Sequence, residues 1–135
     1  MFMSSTRKLY VSKNLSNITD HIDEIVEFVE MCNTELCLSD DCSYYIYFVD
    51  NREKHGIKTT AFYNPADNTI KIYAKNRNVI DTLRSLAHEM THMMQYEAGL
   101  INGPVKDEGG FHEDQANAKA GLIVKRFIKK SHIDF

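Results

Sequence analysis

Between Asn78 and Glu97 the chain has neither Gly nor Pro, and Leu83, Ala87, Met90 and Met94 recur there at helical spacing. An apolar stripe of that length commits the fold to one long helix lying on a core. Within it stands His88-Glu89-Met90-Thr91-His92. Residues four apart share a helix face, so the two imidazoles lie one above the other, close enough to hold one metal ion. Glu89 is one position along, where a carboxylate can act as general base on a water at that ion. Arg84, Ser85, His88, His92 and Gln95 follow the polar side, away from the stripe. Gly99 is the expected stop, with Gly103 and Pro104 just beyond.

The pattern HExxH is of moderate specificity on its own, because surface and core histidines also fall at this spacing. Catalytic zinc takes three protein ligands and leaves one position for water, so a third ligand is required. After the breaker Gly109-Gly110 a second helical run begins, with Glu113, Ala116, Asn117, Ala120 and Gly121 on one face, continuing through Val124, Phe127 and Ile128. Small residues on that face let two helix backbones approach, as a glutamate must do to come within about 2 Å of an ion on the neighbouring helix. Glu113 is the expected third ligand, and Asp114 is its rival should the register differ. Asn117 is placed to accept a ring N–H from a ligand histidine. His112 points about 100° off the ligand face of an ideal helix. It is a candidate to touch substrate, as are Tyr63, Arg84 and Tyr96 for polarising a carbonyl.

Upstream, Thr59 to Tyr63, the turn Asn64-Pro65-Ala66-Asp67-Asn68, and Thr69 to Tyr73 read as strand, turn, strand. An edge strand there can hold an extended peptide by strand addition. Together these stretches resemble the gluzincin metallopeptidases, in particular compact ImmA/IrrE-type and short phage-encoded members. The resemblance covers roughly Ile57 to Lys130 and rests on His88 to His92 and on Glu113-Asp114-Gln115-Ala116-Asn117. It implies one Zn²⁺ per chain held by His88, His92 and Glu113, with Glu89 as base, and hydrolysis of a peptide bond. It also implies a bacterial cell or a phage-infected host as the setting. The family pattern commonly has Asp where Asn117 stands here.

At 135 residues the chain is long enough for one domain spanning residues 1–135, and 43% hydrophobic residues suit a globule with its own core. A net charge of −3 gives no basic field to draw nucleic acid. Lys125, Arg126, Lys129 and Lys130 read as the cationic last turns of a helix. No apolar run is long enough for a membrane span and no signal peptide is recognisable, so the expectation is a cytoplasmic protein. Cys32, Cys37 and Cys42 lack a common zinc spacing and read as free thiols. Partners reduce to a peptide or protein substrate, with oligomeric state left open.

A short strand at Leu9-Tyr10-Val11 is expected at the sheet edge. A helix capped at Asn17 or Thr19 is expected to run to about Thr34, on the stripe Ile18, Ile22, Ile25, Val26 and Val29. Ser43 to Asp50 is aromatic and β-branched on both faces, and reads as a central strand packed against helices. The fold class is α+β, a minimal zincin in which a small, mostly antiparallel sheet packs against an N-terminal helix and two metal-binding helices. Three rival readings remain open: a metal-binding inhibitor or adaptor without proteolysis, an accidental motif on a surface helix, and an amidase acting on cell-wall peptides.

Overall fold

β-branched and aromatic residues favour the pleated conformation, and the richest run of them takes the middle of the sheet. In the structure, a computed structural model describing residues 5–101 and 110–131, this run is β2 (Tyr44–Val49). It lies between β1 (Arg7–Val11) and β4 (Thr69–Tyr73), while β3 (Ala61–Asn64) takes the far edge beyond β4. The helices are α1 (Ser16–Thr19), α2 (Ile22–Glu35), α3 (Val79–Glu97) and α4 (Phe111–Ser131). The α+β class is as the sequence implies, but the pairing is mixed rather than mostly antiparallel. β1–β2 and β2–β4 run parallel, and the antiparallel pair is the β3–β4 hairpin. The reason is connectivity. α1 and α2 carry the chain back between β1 and β2, and parallel neighbours need such a crossover. The segment from Asn51 to Thr60 then crosses to the far edge, so β3 opposes β2 in direction and β4 returns between them.

One face of the sheet carries Tyr44, Ile46, Phe48, Tyr63, Ile70 and Ile72 into the core. There they join Ile25 and Phe28 of α2, Leu83, Leu86, Ala87 and Met90 of α3, and Phe127 of α4. The Phe28 and Phe127 rings meet edge to face at 5.1 Å, a favoured aromatic geometry. β2 is central, as expected, and it packs against helices. Among the described residues, the helices pack on this one side. On the other face Tyr47 stacks on Tyr10 at 4.6 Å, and Lys71 Nζ lies 6.0 Å from the Tyr47 ring and 5.9 Å from that of Phe62. Cross-strand ring and cation–ring contacts thus shield the aromatic residues of this face.

The N-terminal helix is interrupted at Asp20-His21. Asn17 does not cap it. Its amide instead donates to the carbonyls of Ala74 and Arg77 at 2.9 and 3.0 Å, tying α1 to the connection between β4 and α3. Asn78 caps α3 through its side-chain oxygen, which accepts from Ile80 N–H at 2.7 Å. α3 ends at Gly99 (φ 73°), where Gly99 N–H bonds Tyr96 O and Leu100 N–H bonds Gln95 O. That pair of bonds is the Schellman termination, and its left-handed residue is usually glycine. α2 ends in the same way with Cys37 (φ 52°) in the glycine place.

Cys32, Cys37 and Cys42 are free thiols, as expected. Arg126 of α4 pairs with Glu35 of α2. Residues 102–109 between α3 and α4, Gly103 and Pro104 among them, lie outside the described residues. No helix among the described residues is long and apolar enough to cross a membrane.

Candidate metal centre

Helix α3 meets the sheet with one side and α4 with the other. Of the side read from the sequence as polar, Arg84 is exposed and Ser85 and His88 are half-buried, but the part under α4 is closed off from solvent. Glu89, His92 and Gln95 are 7%, 1% and 0% exposed. α4 makes this approach through Ala116, Ala120, Ile123, Val124 and Phe127, all buried. This face shares Ala116, Ala120, Val124 and Phe127 with the expected one, but takes in Ile123 and leaves out Asn117, Gly121 and Ile128. Asn117 is exposed, and a Cβ built on Gly121 would have nothing within 4 Å. The alanines, not the glycine, make the close contact.

That contact brings Glu113 to the two histidines. Its Oε1 lies 2.9 Å from His88 Nε2 and its Oε2 lies 3.0 Å from His92 Nε2. The two Nε2 atoms are 3.2 Å apart. His88, His92 and Glu113 thus offer three ligand atoms converging on one point, a set able to hold a metal ion. Asp114, the rival ligand, is exposed and outside this set.

The hydrogen bonds around His92 show how the donors are oriented. Its Nδ1 lies 2.8 Å from Gln95 Oε1. The Gln95 amide nitrogen donates to His112 O at 2.9 Å and to Gln115 Oε1 at 2.8 Å. With both amide hydrogens so used, Gln95 presents an acceptor to the ring. The proton of a neutral His92 then sits on Nδ1, and the Nε2 lone pair faces Glu113 and His88. A lone pair and a carboxylate oxygen at 3.0 Å repel unless a proton or a cation lies between them. The donor chemistry therefore fits a cation. For zinc, ligand bonds of about 2.0–2.1 Å in a tetrahedron set donor atoms about 3.3 Å apart, near the distances found.

Gln95 does what was expected of Asn117, from three residues after His92 on the same helix. The i,i+3 spacing was visible in the sequence, but the burial that gives Gln95 this role was not. Asn117 instead stands at the rim of a cleft of about 360 Å³, whose walls include His88, Glu89 and Glu113. Glu89 is thus a buried carboxylate facing the same space as the three donors. The opposite wall is the start of the sheet edge, Thr59, Thr60 and Ala61.

Of the four candidates for polarising a carbonyl, only Arg84 reaches this cleft. Tyr63 and Tyr96 pack on each other at 5.6 Å in a separate depression with Cys42, Pro65 and Glu97. Burial raises the Tyr63 hydroxyl well above its usual range, and its bond to Asn68 Oδ1 holds the proton on tyrosine. His112 contributes its carbonyl to Gln95, while its Nδ1 is buried without a hydrogen-bond partner among the described residues. Arg77, unmarked by any motif, does line the cleft. Comparison with protein-family models, curated proteins and solved structures finds no match.

Proposed function

We propose that this chain is a zinc-dependent peptidase of the gluzincin type. The observation that carries the reading is the placing of Glu89, a buried carboxylate in the wall of the cleft onto which the His88–His92–Glu113 donor set also opens. A site built only to hold a metal has no use for such a group there. His88, His92 and Glu113 would hold the ion. When bound, zinc supplies Lewis acidity, making water a better nucleophile near neutral pH and stabilising negative charge on a carbonyl oxygen.

The remaining work falls to the chain's own residues. The Glu89 carboxylate takes a proton from the attacking water and delivers it to the departing amide nitrogen, the dual role of a general base and acid. Gln95 keeps the His92 proton on Nδ1, so that Nε2 stays a donor to the metal. β3 is an edge strand, and Thr59 to Ala61 lie along the cleft. Its open side can align an extended peptide by main-chain hydrogen bonds, with the scissile carbonyl brought over Glu89.

The test is metal content and turnover together. One zinc per chain is expected in the wild type and none in Glu113→Ala. Glu89→Gln is expected to keep its zinc and lose cleavage of any substrate found in a peptide library. A chain that takes up no zinc would end this reading. A binding protein that keeps the metal without turnover draws on the same open β3 edge. Equal behaviour of Glu89→Gln and wild type in every cleavage assay, with zinc retained, would favour it.

A further inference from the structure

Arg77 is a half-buried cation without an ion-pairing carboxylate among the described residues. Its guanidinium donates to the carbonyls of Tyr73 and Asp81 at 2.9 and 3.2 Å and to Ser85 Oγ at 3.0 Å. All three acceptors are neutral. The Asp81 carboxylate turns to Arg84 instead, at 3.4 Å. Three bonds leave two of the five guanidinium N–H groups of Arg77 without a partner among the described residues. The group is held firmly, because Asn17 also fixes the Arg77 carbonyl. Partly buried charges are ordinarily matched by an opposite charge. Here Asp81 acts on the guanidinium only through space, and the group lines the same cleft as Asp81, His88, Glu89 and Glu113, with Ser85 and Arg84 beside it.

Resting on the peptidase reading above, we infer that Arg77 and Ser85 form a carboxylate-binding subsite that selects substrates carrying an acidic group next to the scissile bond. Both Nη2 hydrogens are committed, so what Arg77 offers a carboxylate is a single charge-assisted hydrogen bond from Nε or Nη1, together with its positive charge. Ser85 accepts from Arg77, which leaves its own hydroxyl hydrogen to donate to the same carboxylate. Ser85 stands about one helical turn before His88 and Glu89, roughly 5.4 Å along the axis. An extended peptide advances about 3.3 Å per residue, so the acidic group belongs within one or two residues of the bond to be cut. Arg84, exposed at the rim, adds positive potential without a fixed contact. The carboxylate can be an Asp or Glu side chain or the free C-terminus of a short peptide.

Three hydroxamate dipeptides separate these sources when titrated calorimetrically into the zinc-loaded chain. One ends in alanine amide, one in aspartate amide, and one in alanine with a free carboxylate. At least one carboxylate probe is expected to bind about tenfold or more tighter than the neutral one, the usual strength of a charge-assisted bond. Preference for the aspartate amide assigns a side chain, and preference for the free alanine assigns a chain end. The advantage should vanish in Arg77→Gln and fall two- to fivefold in Ser85→Ala. The wild-type ranking does not depend on whether Arg77→Gln folds. Equal binding of all three probes overturns the inference and leaves the metal cleft standing. So does an advantage that survives Arg77→Gln. Failure of all three to bind a chain that holds zinc would overturn the cleft reading and this inference together.

Discussion

The two sides of α3 both pack against other elements, and they are held by different physics. Toward the sheet, Leu83, Leu86, Ala87 and Met90 meet Ile46, Phe48, Ile70 and Ile72. That contact is non-directional and tolerates small shifts, since its strength follows the apolar area removed from water. Toward α4, His88, His92 and Gln95 meet Glu113, His112 and Gln115 through hydrogen bonds and facing donor atoms. That contact is directional, and each group in it costs free energy if its partner is lost. One side holds the helix in place and the other uses its position.

The comparison is most severely tested from the apolar side. Leu86→Ala is expected to lower folding stability by about 2–5 kcal/mol, the range for a leucine deleted from a full core. Zinc stoichiometry of the fraction that stays folded should not change. Chemical denaturation followed by metal analysis checks both, and loss of zinc from well-folded protein would show the two sides to be one unit.

Next comes the stability that metal adds. Free zinc at about 100 times its dissociation constant should raise wild-type stability by about 2.7 kcal/mol. A chelator should return the chain to its metal-free melting temperature. Glu113→Ala should melt at one temperature with or without zinc. A zinc shift of full size in that variant would mean that the ion sits elsewhere.

Gln95→Leu isolates orientation from ligation. It keeps the three donors and removes the acceptor that holds the His92 proton on Nδ1. Zinc affinity should fall about 10- to 100-fold, the usual cost of losing a partner behind a ligand histidine. Competition with a fluorescent chelator measures it. An unchanged affinity would mean that His92 finds its tautomer without help.

The smallest effects lie at the helix ends. Gly99→Ala forces a Cβ into a left-handed position and should cost about 1 kcal/mol. Cys37→Gly relieves the same strain at the end of α2 and should gain about 0.5–1 kcal/mol. Thermal melts of both variants resolve these shifts, and neither should alter zinc binding.

The candidate site was largely legible because its parts are local. HExxH places two imidazoles on one face by helical geometry alone, and Glu113 begins the next helical run. Spacing along a helix did not tell which of its faces would be covered. Gln95 looked like a solvent-facing residue until α4 was seen to pack over it. Asn117 looked like the partner of a histidine, but α4 packs through its alanines and leaves Asn117 exposed. Tyr63 and Tyr96 are near the motif in sequence but lie in another depression.

What the sequence by itself determined was the set of local structures. These are the α3 helix with its Asn78 cap and Gly99 stop, the β3–β4 hairpin, the central strand, and the chemistry of His88, Glu89, His92 and Glu113. Each depends on periodicity or turn residues within a few positions, where propensity acts directly. Only the tertiary structure decided the parallel pairing of β1, β2 and β4, the single helical layer, the burial of Gln95 and the arrival of Arg77 in the cleft. Those outcomes depend on which surfaces meet across the chain. Asn17 is joined to Arg77, and Gln95 to Gln115, by contacts that no local pattern encodes.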